Sequence, residues 1–335
     1  MKTKLDTASE PRRILCGTDF TENARQAACA AAAIAKRLNE PVLLVHAAET
    51  PGFGVTHPEV LQLVEAGSRK TLLEEAARIR EAGVTVEEQL STGRADEVLV
   101  ELARSAPTRL LVVSSLGRRA AERWFLGSVS ERTAERATVP TLVVRDAAPF
   151  EAWTRGERPL KVFVAFNFTV TSEAAVRWVR ELQAIGPCEL VVGYVDWPPE
   201  ERKRLGGTGP LPLVGNPPEV QAELERDLKA RVVQLLGTTE FRTRVEANWG
   251  RPDVRLANMA KEEGADLIVV GSHQYHGFER LWHTSVSRGI LHSAAMSVVV
   301  VPLSTGQVPG VGQETKTSRL SPLRTKPCQD KTNTP

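Results

Sequence analysis

Arg13-Ile14-Leu15-Cys16-Gly17-Thr18-Asp19-Phe20-Thr21 returns later in the chain as Lys161-Val162-Phe163-Val164-Ala165-Phe166-Asn167-Phe168-Thr169. Residue 161 less residue 13 gives an offset of 148, which holds from Pro41–Glu49 to Glu189–Trp197. Gly93-Arg94-Ala95-Asp96 matches Gly250-Arg251-Pro252-Asp253, and Leu110 to Val113 matches Leu267 to Val270, both at 157. A period this long makes the repeating unit a whole domain, so the chain reads as a tandem duplication and not a solenoid. The difference between 157 and 148 places nine extra residues between the second and third strands of the second copy, most simply within Trp197 to Pro218.

Each copy alternates two patterns. Ile14 to Gly17, Val42 to Ala47, Leu110 to Val113 and Thr141 to Val144 are short and almost wholly apolar, as strands buried on both faces must be. Asn23 to Leu38, Glu59 to Glu81 and Ala95 to Arg104 have helical spacing, and Val84 to Leu90 alternates as an edge strand does. The second copy predicts strands at Val162 to Phe166, Glu189 to Val195, Phe241 to Ala247, Leu267 to Val270 and Val298 to Val301. The expected fold is α/β, two tandem doubly wound parallel five-stranded sheets, Rossmann-like, with right-handed crossovers. Expected boundaries are a disordered 1–10, a first domain over 11–148, a second over 149–302, and a disordered tail over 303–335.

Composition narrows the function classes. A net charge of +2 makes no whole-chain case for nucleic acid or an anionic membrane, and no apolar run approaches the roughly 20 residues that span a bilayer. Cys16, Cys29, Cys188 and Cys328 show no CxxC spacing and read as thiols in a reducing compartment, which predicts a cytoplasmic protein. The tail carries Lys316, Arg319, Arg324, Lys326 and Lys331 against Glu314 and Asp330.

In an open parallel sheet ligands bind beyond the carboxyl ends of the strands, where strand order reverses. Thr18 and Asp19 end the first strand; Ser114, Ser115 and Gly117 end the fourth; Gly127 and Ser128 open the next helix. Gly127 permits close backbone approach, Ser128 reads as that helix's cap, and the unpaired N–H groups of the first turn suit a phosphate. Asp19 has a bland alternative as the cap of the helix from Asn23. No Gly-x4-Gly-Lys-Ser/Thr loop and no nucleophile–base pair occur, so any hydrolysis is expected to be slow and no catalytic residue is assigned. His273, His276 and His283 lack a carboxylate or thiolate at convincing spacing for metal, and His46 reads as a packed, hydrogen-bonded core residue.

The combined pattern resembles the universal stress protein family, once per repeat across residues 10 to 302. Ser114-x2-Gly117-x9-Gly127-Ser128 is similar to the nucleotide-binding members' motif of Gly, two residues, Gly, nine residues, Gly, then Ser or Thr, with serine for the first glycine. The resemblance implies an adenine nucleotide alpha hydrolase-like fold binding ATP or another adenine nucleotide, with or without magnesium. It implies that Asp19 holds the adenosine, the backbone of Val42 meets adenine, Ser114 and Gly117 line the phosphate path, and Gly127, Ser128 and Val129 grip the phosphates. Gly17 and Val113 complete that lining. The second copy has Asn167 for the aspartate, keeps Gly271, and puts Gln274 and Thr284 at the later glycines, so it is expected to pair and not to bind. Family members pair through fifth strands, which predicts that Thr141 to Val144 meets Val298 to Val301 within one chain. A further homodimer and an unidentified protein partner stay open.

Overall fold

The computed structural model describes residues 12–48, 58–115, 126–199, 201, 215–272 and 286–303. The expected disorder of both termini, Gly117 of the motif, and the loop around His273, Gln274, His276, His283 and Thr284 lie outside the described residues.

The first half runs β1 (Arg13–Gly17), α1 (Glu22–Leu38), β2 (Val42–Ala48), α2 (Pro58–Glu81), β3 (Val86–Thr92), α3 (Ala95–Ser105), β4 (Thr108–Ser114), α4 (Ser128–Arg136) and β5 (Thr141–Val144). After α5 (Ala148–Arg155) the second half repeats the order: β6 (Leu160–Ala165), α6 (Val170–Ile185), β7 (Cys188–Asp196), α7 (Pro218–Leu236), β8 (Arg242–Ala247), α8 (Pro252–Glu262), β9 (Leu267–Ser272), α9 (Val286–Ser293) and β10 (Ser297–Pro302).

The two expected five-stranded sheets are halves of one. Strand order is β3-β2-β1-β4-β5-β10-β9-β6-β7-β8, parallel within each half. The halves join where β5 meets β10 antiparallel, with Val298 opposite Val143 and Val300 opposite Thr141. The fifth strands thus cover each other's apolar edges, which removes two templates for aggregation.

Strand residues divide by parity between two cores, as a pleat with period two requires. Ile14, Cys16, Leu44 and Val112 face the layer containing α1, α2, α5, α6 and α7. Leu15, Val45, Leu111 and Val143 face α3, α4, α8 and α9. In α1 the alanines from Ala27 to Ala35 let the helix lie close on the sheet, and the helix ends at Asn39 in left-handed backbone, φ 53°.

A boundary drawn at residue 148 misses α5, which joins the halves as a packed element. Its Phe150 and Trp153 are fully buried, Trp153 Nε1 donates to Pro187 O at 2.9 Å, and Thr154 Oγ1 donates to Ala33 O at 3.0 Å. Arg37 lies 4.6 Å over the Trp153 ring and donates to the carbonyls of Ile185 and Trp153. One helix therefore fastens α1 of the first half to the end of α6 in the second.

Candidate functional site

Strand order reverses between β1 and β4 in the first half, and the turns leaving those strands carry the chemistry. At the end of β1, Gly17 is set by packing: a Cβ there would lie 2.8 Å from Leu99 Cδ1 of α3. Thr18 is 7% exposed, and its hydroxyl donates to both carboxylate oxygens of Glu75 at 3.0 Å while accepting from Phe20 N at 3.0 Å. That last bond supports Phe20 in left-handed backbone at φ 65°, an uncommon conformation for a bulky residue.

Half-buried Asp19 does not cap α1. Thr21 does, accepting from Ala24 N at 3.2 Å. Asp19 Oδ1 instead accepts from Thr21 N at 3.1 Å and Thr21 Oγ1 at 2.6 Å, which fixes the carboxylate at the sheet edge. His46 Nδ1 lies 2.8 Å from Thr18 O, and its ring stands 4.2 Å from that of Phe20. It is the packed, hydrogen-bonded residue expected.

At the end of β4, Gly127 N donates to Ser115 O at 2.7 Å and Ser130 Oγ donates to Ser114 O at 2.5 Å. Gly127 is the cap residue of α4, with φ −69° and no side-chain cap bond, and Ser128 is the exposed first helical residue. Ser128 is therefore not the cap expected from the sequence. Glu131 N is bonded to Gly127 O at 3.0 Å, and the N–H groups of Ser128, Val129 and Ser130 before it have no intrahelical acceptor. Gly127 brings no side-chain cap to these groups, and N–H groups at a helix start suit an anion.

Gly17, Thr18, Asp19, Val113, Ser114, Gly127, Ser128 and Val129 therefore gather at one edge of the sheet. Val42 does not. It is fully buried at the amino end of β2, paired with Ile14 and Val86. Six residues, or about 20 Å of strand, separate it from Ala48. Its likeness to a base-contacting position fails because only the last residues of a strand reach the crevice; His46, Ala47 and Ala48 occupy that end.

Glu75 was not singled out, although Leu72, Glu75, Ala76 and Ile79 fall on one helical face and all four are buried. A glutamate in that stripe was the available signal. Among the described residues, no group of three or more His, Cys, Asp or Glu could hold a metal ion, and no helix is long and apolar enough to cross a membrane.

The second half builds the same turn with different contents. Thr169 Oγ1 donates to Asn167 Oδ1 at 2.6 Å, Phe168 has φ 61°, and Thr169 caps α6. Where the first half has Thr18 and His46, the second has Phe166 and Tyr194, both buried, and Tyr194 Oη donates to Oε1 of buried Glu201 at 2.9 Å. Gly271, at the position of Ser114, is held by the fold itself, because a Cβ there would lie 2.0 Å from the carbonyl oxygen of Thr171. The backbone of α6's first turn rests on the end of β9.

The Universal stress protein family model matches residues 10–145 and 160–302, one match per half. A universal stress protein of Mycobacterium tuberculosis is 26% identical over 308 residues, covering 87% of this chain and 98% of that protein. One from Mycolicibacterium smegmatis is 28% identical over 307 residues, covering 86% and 96%. The crystal structure of a universal stress protein from Archaeoglobus fulgidus superposes with a TM-score of 0.66 at 17% identity, covering 88% of this chain and 99% of that one. Matched twice along its length, the chain belongs to the universal stress protein family as a tandem member.

Proposed function

We propose that the first half binds ATP or a related adenine nucleotide at the carboxyl edge between β1 and β4, and that the protein acts in the cytoplasm as a nucleotide-dependent binding module and not as a turnover enzyme. The observation that carries this is the placement of the fixed Asp19 carboxylate and the first turn of α4, which has no side-chain cap, on opposite sides of one switch point. A carboxylate suits ribose hydroxyls as donors, and helix N–H groups suit phosphates. Binding without turnover is supported by the chemistry of α4, whose sequence Ser128-Val-Ser-Glu-Arg-Thr-Ala-Glu-Arg136 contains no lysine to stabilise phosphoryl transfer.

The second half serves as the permanent pairing partner. Its α6 packs onto β9 at Gly271, and its aspartate position is Asn167. Isothermal titration with ATP, with and without magnesium, tests the reading. Saturable binding of one nucleotide per chain is expected; neither heat nor thermal stabilisation at millimolar nucleotide would overturn it in favour of a nucleotide-free scaffold. Phosphate release above background that is lost in Asp19→Ala would overturn the binding-only part.

A further inference from the structure

The second half offers a comparison for the Thr18 turn of the first. Phe20 and Phe168 adopt the same left-handed backbone, at φ 65° and 61°, and both turns close with a 2.6 Å bond from a threonine hydroxyl to Asp19 or Asn167. The second half does this over Phe166 and Tyr194, so the turn itself does not require Thr18 and His46. Burying a carboxylate is costly. Glu75 is 3% exposed, with Thr18, one residue before Asp19, bonded to both of its oxygens.

We propose, resting on the nucleotide-binding reading, that Glu75 links ligand capture in the first half to proton uptake: the bound polyanion favours neutral Glu75, and protonation releases the Thr18 hydroxyl hydrogen toward the ligand. Thr18 has one hydroxyl hydrogen. While Glu75 is a carboxylate that hydrogen is committed to it, and a lone pair of the same oxygen holds Phe20 N. Once Glu75 carries the proton, its carboxyl O–H donates to Thr18 Oγ1 and the threonine hydrogen turns outward. The proton passes from solvent to the Glu75 carboxylate, and no other bond is broken.

The charged surroundings agree. Burial pushes the Glu75 carboxyl up; the Thr18 bond, Arg78 and Arg25 draw it down, and Asp19 raises it again. From the elements packed around it, β1 and its turn contribute Cys16 and Asp19, and β2 contributes His46. Helix α1 contributes Glu22, Arg25 and Cys29, and α5 contributes Glu151. The thiols of Cys16 and Cys29 are themselves pushed up, chiefly by burial, and stay neutral. A nucleotide adds further negative charge beside Asp19, in the direction that favours protonation.

The test is ATP affinity from pH 5.5 to 8 for the full chain and for Glu75→Gln, with proton uptake read by titration calorimetry in two buffers of different ionisation enthalpy. ATP's own titration is common to both proteins and cancels. The wild type should lose affinity with rising pH more steeply than the variant, by up to about tenfold per unit, and take up more protons on binding. Glu75→Leu, which removes the titrating group altogether, should give the same shallower profile. Equal slopes and equal proton uptake in wild type and both variants would overturn the proposal alone; no nucleotide binding by any of them at any pH would overturn it together with the reading on which it rests.

Discussion

The two halves share a backbone plan and differ in what fills it, and the difference separates residues the fold demands from residues it merely tolerates. Both have the left-handed phenylalanine, the threonine cap and the five parallel strands. They part at the sheet's carboxyl edge. The sharpest case is the first position of the glycine motif, where Gly271 touches the backbone of Thr171 and Ser114 stands in the first half. That glycine is kept in the half without the other motif glycines, so its warrant is helix-to-strand packing and not ligand approach.

The largest expected effect exploits this. Gly271→Ser copies the first half into the second and drives a side chain into backbone that cannot move cheaply, costing about 3 kcal/mol. Ser114→Gly makes the reverse exchange and should cost within about 1 kcal/mol. The midpoint of urea unfolding reads both, and equal losses would show that the two strand ends pack alike.

Next in size is the binding asymmetry. Asp19→Ala should weaken ATP by about 100-fold, equivalent to about 2.7 kcal/mol, while Asn167→Ala leaves affinity unchanged. Calorimetry on the two variants decides it, and a loss confined to Asn167→Ala would transfer the site to the second half.

Which parts were legible follows from how each signal arises. Strands buried on both faces advertise themselves as apolar runs, so their positions are legible, while the β5–β10 seam between Thr141 to Val144 and Val298 to Val301 follows from the family resemblance. Helix α5 hid because eight residues between two domains look like a linker, although Pro149 in its first turn, Gly156 at φ 75° after it, and buried Phe150 and Trp153 are all helix signals. The caps lie one or two residues from the expected positions because Asp19, Thr21, Gly127 and Ser128 are all acceptable cap residues, and only hydrogen-bond geometry chooses among them. Val42 lies away from the crevice for a different reason: a strand's chemistry depends on which end reaches the crevice, and likeness of sequence does not measure length along a strand. Glu75 comes from a helix far along the chain, and its contact with Thr18 is visible only once α2 packs on the sheet.

A smaller effect concerns stability against pH. Glu75 is raised above its ordinary value, so its contribution to stability is fully present below the unfolded value near 4.5 and is lost as pH rises through the raised folded value. Glu75→Gln should therefore be more stable than wild type at pH 8, on the order of 1 kcal/mol, with the gap closing as pH falls toward 4.5. Thermal melts across that window check it. A constant gap would mean that Glu75 does not titrate there.

The smallest expected effect tests whether the halves cooperate at the phosphate end. Glu131, in the first turn of α4, accepts from Arg288 Nε at 2.6 Å and lies 3.2 Å from His292 Nε2, both on α9. Burial pushes its carboxyl up, but the bonds from His292 and Arg288 outweigh burial and leave it below the ordinary glutamate value. Its stabilisation is thus present above about pH 4.5 and lost as pH falls through the lowered folded value. Both partners are substantially exposed, so Glu131→Gln should cost only about 0.5 kcal/mol at pH 7, and less at pH 3. Nucleotide affinity should stay within about twofold, because Gly127 N on Ser115 O and Ser130 Oγ on Ser114 O already fix the start of α4 from within the first half. A tenfold loss of affinity in Glu131→Gln would instead mean that α9 holds the first turn of α4 in place for the proposed ligand, and that the second half forms part of the proposed site.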